Sequence, residues 1–123
     1  MARSRKTARS AGSSFERLVA DGFALEMDND NIDRKVKTGA KDQGDIGNVR
    51  HLNGDRVAVE VKEYGGRLEP AAWVKEAQQE ALNYGALCGF TVAKRRGTTD
   101  FREQWVIMSV ADVLALLTGS RVP

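Results

Sequence analysis

The dipeptide Asn53-Gly54 constrains this chain more than any other pair of residues in it. A type I′ turn needs positive φ at both central positions, and Asn-Gly suits it best among short sequences. After it, Val57, Val59 and Val61 alternate with Ala58, Glu60 and Lys62; before it runs Gly44-Asp45-Ile46-Gly47-Asn48-Val49. The two arms read as strands of an antiparallel hairpin, and the rest of the fold must supply a sheet around them.

With a two-residue turn, Leu52 faces Asp55, Asp45 falls opposite Lys62, and Gly47 falls opposite Glu60. Alternate residues of a strand share a face, so Glu60 and Lys62 point the same way. Directly opposed Cβ atoms lie about 4.5–5.5 Å apart and diagonal ones about 7–8 Å apart. Asp45, Glu60 and Lys62 then converge on one patch. Ile46, Val57, Val59 and Val61 take the core face, with Asn48 as its polar exception. A three-residue turn would slip this register. Two carboxylates and an ammonium on one patch suit metal-assisted phosphodiester chemistry. Mg²⁺ takes oxygen ligands, commonly one or two carboxylates with water and substrate phosphate. A lysine beside it can orient or deprotonate the attacking water, or offset charge on a phosphorane. The structural alternative is a solvated strand face with an ordinary Asp–Lys pair.

Asp45, then Glu60-Val61-Lys62, with Glu16 on a preceding helix, resembles the PD-(D/E)XK nuclease superfamily. Order and spacing over residues 12–93 are most similar to the Holliday-junction resolvases of archaea and some phages. One departure stands out: Gly44 replaces the proline that precedes the aspartate. The resemblance implies an α/β domain with a mixed central β-sheet flanked by helices, a restriction-endonuclease-like core. It implies a Mg²⁺-dependent endodeoxyribonuclease, with Mn²⁺ as a substitute, acting on branched DNA. In that scheme Asp45, Glu60 and the Val61 carbonyl hold metal, Lys62 positions or activates water, and Glu16 binds a second metal or orients that water. A homodimer is implied too, because symmetric nicking of a four-way junction needs two sites. A phage enzyme of this kind would work in the cytoplasm of a bacterial host. The other readings are a RecB-like or restriction-type nuclease, a non-catalytic DNA-binding module on a degenerate nuclease fold, and a protein-interaction domain.

The composition is compatible with this reading without demanding it. At 123 residues, 41% hydrophobic and 29% charged, the chain fits one soluble domain with a real core. Its single cysteine, Cys88, allows no internal disulfide and fits a reducing compartment and a core position. No stretch approaches a membrane span, and the basic N-terminus lacks the apolar segment of a secretory signal. Net charge is only +2, but the cations cluster. Arg3, Arg5, Lys6 and Arg9 open the chain, Arg34, Lys35, Lys37 and Lys41 precede the hairpin, and Lys94, Arg95 and Arg96 follow later. Arg3, Arg5, Lys6, Arg9, Arg34, Lys37 and Lys41 are the DNA-binding candidates, since lysine and arginine on phosphates gain affinity through counterion release.

Residues 1–11 lack hydrophobic period and read as a disordered basic arm ahead of one domain, 12–123. Phe15, Leu18, Val19 and Phe23 recur at helical spacing over 13–26. Ser13 and Glu16 fit a capping box, which offers a structural role for Glu16 beside the metal-ligand one. Asp28-Asn29-Asp30-Asn31 lacks the rest of an EF-hand and reads as a loop. Residues 32–38 read as a short strand, and 38–44 as a flexible connection in which Asp42 is a competing acidic candidate. His51, beside the turn, reads mainly as structural. Pro70 fits the first position of a helix over 70–84 that Gly85 or Gly89 ends. Its stripe is Trp73, Ala77, Ala81 and Tyr84, with Gln78 and Gln79 on or beside it. Gln79 and Tyr84 loosely resemble a glutamine and tyrosine that related nucleases carry near the site. A strand at 89–93, another within 101–108, and a helix capped by Ser109 complete the chain.

Overall fold

The computed structural model describes residues 4–37 and 41–121. Three helices, α1 (Arg5–Glu26), α2 (Pro70–Tyr84) and α3 (Val110–Thr118), accompany five strands. These are β1 (Asp33–Arg34), β2 (Ile46–Gly47), β3 (Val57–Lys62), β4 (Cys88–Ala93) and β5 (Trp105–Ile107). A short 3₁₀ turn, Phe101–Glu103, precedes β5. The strands form one sheet in the order β1-β2-β3-β4-β5. Only β3 and β4 run parallel, and α2 is the crossover between them. The fold is therefore mixed α/β, with helices on both faces of a mixed sheet. No helix among the described residues is long and apolar enough to cross a membrane.

Helices cover both faces of β3, so its alternation separates two buried environments rather than core from solvent. Val57, Val59 and Val61 pack with Phe15 and Val19 of α1, Phe90 and Val92 of β4, and Ala115 of α3. On the other face Ala58 meets Ala81 and Tyr84 of α2. Fully burying one such valine contributes roughly 1.5–3 kcal/mol. Helix α2 sits close to the sheet because Gly89 has no side chain: a Cβ there would lie 2.4 Å from the Ala77 carbonyl oxygen.

Helix α1 starts much earlier than Ser13. Ser4 is its N-cap and accepts the Thr7 N–H at 3.1 Å. Residues 5–11, expected as an arm, form its exposed first turns. Their Ala, Arg and Lys content favours helix, and extending a nucleated helix costs little. Glu16 is therefore mid-helix and caps nothing. The strand expected over 32–38 is only Asp33–Arg34, the length over which β2 supplies a partner. Helix α2 and its left-handed cap at Gly85 (φ 66°) match expectation, as does Ser109 at the start of α3.

The hairpin register also differs from expectation. Arg50 bridges Arg56, and the His51 N–H donates to the Asp55 carbonyl at 2.8 Å, so the turn holds three residues, Leu52–Gly54. That is one step of slip. A second step comes from a bulge at Asn48, whose φ is +70° and whose side-chain amide donates to the Asn31 carbonyl at 2.8 Å. Beyond it Ile46 pairs with Val59, which sets Asp45 beside Glu60 instead of Lys62. Each single slip would turn the side chains over, and two restore the original face.

Candidate metal and phosphate site

Gly44 places Asp45. Its φ of +101° is closed to proline, which is held near −65°, and a Cβ would lie 2.9 Å from the Val59 carbonyl oxygen. The chain thus enters β2 along a path that the proline of the family pattern could not follow. The Asp45 carboxylate accepts the Val61 N–H at 2.8 Å and also pairs with the Lys37 ammonium. Burial pushes this carboxyl up, but contacts with Glu60, Lys37 and the Val61 N–H carry it below its ordinary value.

Glu60 is 3% exposed, so the solvated-face alternative fails. Its carboxyl is held far above the usual range, first by burial and then by contact with the carboxyls of Asp45 and Glu80. Lys62 lies 4.0 Å from Glu60 and 2.9 Å from Glu76 of α2. Burial favours its neutral amine, but Glu76 and Glu60 outweigh this and raise it above the ordinary lysine value. Lys62 is therefore an ammonium, suited to donating hydrogen bonds and offsetting negative charge rather than accepting a proton.

Glu16 reaches the same place from α1. Burial, then the Asp45 charge, raises its carboxyl, and Arg34 lies 3.6 Å from it. Glu16, Asp42, Asp45, Glu60, Val61 and Lys62 all line one open cavity of about 240 Å³, with Lys37 at its wall. Lys35, Lys37 and Lys41 line a smaller adjoining pocket beside Gly44. The cavity thus combines a carboxylate floor with a lysine margin.

Other candidates lie elsewhere. Gln79 hydrogen-bonds Asn83 at 3.0 Å on a neighbouring groove of α2. Tyr84 is buried beneath Lys35 and Arg56, whose charges stack on its ring. Neither lines the Asp45 cavity. His51 is structural: Nδ1 accepts the Asn53 N–H, leaving Nε2 to donate to Leu116 of α3 at 3.1 Å. Arg5, Lys6 and Arg9 are exposed on α1, and Arg3 lies outside the described residues. Of the third basic group, Lys94 binds the Thr98 carbonyl, Arg95 lies over Trp105, and Arg96 donates to the Gly65 carbonyl at 2.8 Å. Those cations are engaged by their own loop, by Trp105 of β5 and by the turn at Gly65.

Searches against family models, curated proteins and solved structures return no match.

Two residues of the site were not anticipated, Glu76 and Glu80. They are one turn apart on α2 and face β3. Glu80 falls between Ala77 and Ala81 on the apolar stripe, and a carboxylate interrupting such a stripe was the available signal. It is 2% exposed, and neither carboxylate oxygen meets a hydrogen-bond donor. The Glu60 carboxyl is within reach, but two carboxyls share a hydrogen bond only if one is protonated. Burial, with the charges of Asp42, Glu76 and Asp45, pushes Glu80 up to about 7. Oxygen atoms of Asp42, Glu60 and Glu80 lie within 4.8 Å of one another, a spacing that could hold a metal ion.

Proposed function

We propose that this chain is a Mg²⁺-dependent endodeoxyribonuclease with a restriction-endonuclease-like core, acting on branched DNA as a Holliday-junction resolvase. The observation that carries the reading is the meeting of Asp45 and Glu60 in one cavity, with the Lys62 ammonium 4.0 Å from Glu60. The donor set fits a hard divalent cation, being all oxygen and largely screened from water. Lys37, already paired with Asp45, shows that this carboxylate accepts a cationic partner.

In this reading Asp45, Glu60 and the Val61 carbonyl hold Mg²⁺ or Mn²⁺, and Glu16 adds a carboxylate from α1. The bound ion would polarise the scissile phosphate and lower the pKa of a coordinated water. Lys62 donates to that water or to a phosphate oxygen, and Glu76 fixes the direction of its ammonium. Lys35, Lys37 and Lys41 receive flanking phosphates, while Arg5, Lys6 and Arg9 extend the basic surface along α1. The family resemblance adds the homodimer, with one site per junction strand.

The test is cleavage of a labelled four-way junction against a linear duplex in Mg²⁺. The junction is cut, and Asp45→Asn or Glu60→Gln lowers the rate about a hundredfold or more. Cutting that survives both substitutions refutes the site. Equal cutting of duplex and junction keeps a nuclease, RecB-like or restriction-type, and rejects the resolvase. Salt-dependent binding with no cutting leaves a DNA-binding module.

A further inference from the structure

We infer that Asp42, Glu60 and Glu80 form a second divalent-cation position, adjacent to the one on Asp45 and sharing Glu60 with it. The inference goes beyond nuclease action and stands whether or not the chain cuts DNA.

Glu80 carries the argument. A buried polar side chain normally has a hydrogen-bond partner, and a buried charge normally has a counter-charge. Glu80 is on the inward face of α2, 2% exposed, and apart from the Glu60 carboxyl no group of the described residues donates to either of its oxygens. Its surroundings are carboxylates: Glu60 within reach, and Asp42, Glu76 and Asp45 close enough to be felt as charge. In the metal-free chain a proton on Glu60 can bridge these carboxyls; a divalent cation from solution would replace that proton and give both Glu80 oxygens the partner that no other group of the described residues supplies.

The spacing admits one ion. Ligands at roughly 2.1–2.5 Å from a shared Mg²⁺, Mn²⁺ or Ca²⁺ lie at most about 5 Å apart. The three residues offer oxygens within 4.8 Å of one another. The set is hard, with no sulfur or imidazole, and excludes a preference for soft metals. Asp42 already has one carboxylate oxygen on the Gly44 N–H at 2.9 Å, which orients the group. Asp45 is engaged differently, by Lys37 and the Val61 N–H, so the two positions take separate donors apart from Glu60.

Such an ion would tie three segments together. Asp42 belongs to the connection before β2, Glu60 to β3 and Glu80 to α2. Binding would therefore raise melting temperature as well as fix the Glu60 carboxylate, because an ion that binds only the folded chain stabilises it.

Calorimetric titration of the full chain with Mn²⁺ alone, without DNA, tests this, with melting temperature as a second readout. Wild type binds two ions. Glu80→Gln weakens one binding event at least tenfold and removes most of the Mn²⁺-dependent rise in melting temperature, whereas Asp45→Asn preserves that event. Asp42→Asn gives the same loss from a loop position, which covers a Glu80 variant that fails to fold. Affinity and melting rise within twofold of wild type in Asp42→Asn and in any folded Glu80→Gln would overturn the proposal. So would loss of all Mn²⁺ binding in Asp45→Asn. Intact Mn²⁺ binding through Glu80 without DNA cutting would refute only the nuclease reading. Junction cutting with metal affinity indifferent to Glu80 would refute only this one.

Discussion

Asp112 and Glu80 are both almost wholly inside the protein, at 1% and 2% exposure, and they have opposite surroundings. Asp112 accepts hydrogen bonds from Ser109, Gln78 and the Gly89 N–H, and pairs with Arg121. Burial pushes its carboxyl up, but these donors carry it below the ordinary value. It joins the start of α3 to α2 and β4, which is a complete structural account. Glu80 has none of this. Burial alone therefore says little about function in this fold; what separates the two residues is whether the protein itself supplies the partner.

The largest expected effect falls on the satisfied residue. Asp112→Ala leaves the Gly89 N–H, Gln78 and Arg121 without their shared acceptor, and urea denaturation should show a loss of about 3 kcal/mol. A loss below about 1 kcal/mol would mean that the network is incidental. Glu80→Leu should do the reverse in the absence of divalent ions. Exchanging a buried, unpaired carboxylate for an apolar side chain of similar size is expected to stabilise by about 1 kcal/mol or more. Marked destabilisation by Glu80→Leu in chelator would erase the contrast.

The two residues should also differ in the sign of their pH dependence. Glu80 is raised from 4.5 to about 7, so the folded chain holds its proton more tightly than the unfolded chain. Its contribution is complete below about 4.5 and is lost as pH rises through about 7. Glu60 is raised as well and acts in the same direction. Asp112 is lowered from 3.8, so its contribution is present above that value and lost on further acidification. Stability of the metal-free chain should therefore fall between about pH 4.5 and 7, and Glu80→Gln should reduce that slope, with Glu60 supplying the remainder, while leaving the acid limb unchanged. A slope of the same size in the variant would exclude Glu80 as its source. The smallest effect belongs to Gln79, next to Glu80 in sequence but bonded to Asn83 at the helix surface. Gln79→Ala should change stability by no more than about 0.5 kcal/mol and, under the proposed function, leave the rate of junction cutting at the wild-type level.

These contrasts also mark where sequence reading succeeded. The alternation Val57–Lys62, the Pro70 start and Gly85 end of α2, and the Ser109 cap are local patterns, and the structure has each of them. The meeting of Asp45 with Glu60 was legible because strand parity survives a two-residue shift. The shift itself was not legible. The turn length is supported by the His51 ring reaching Leu116, and the bulge at Asn48 by its bond to Asn31, both contacts with remote segments. Ser4 and Ser13 offer similar capping chemistry, and nothing between them stops a helix. Glu80 went unnoticed because the alanines and aromatics around it already accounted for the stripe.

The closeness of α2 to β4 at Gly89 has one more consequence. Glu76 and Glu80 hang from α2, while Glu60 and Lys62 belong to β3, the strand from which the α2 crossover departs. The spacing across this cavity is thus set by a seat that carries none of the cavity's own carboxylates. Adding a single methyl at Gly89 would lift the helix from its bed and spread the acidic side chains, leaving every one of them chemically intact but no longer in concert.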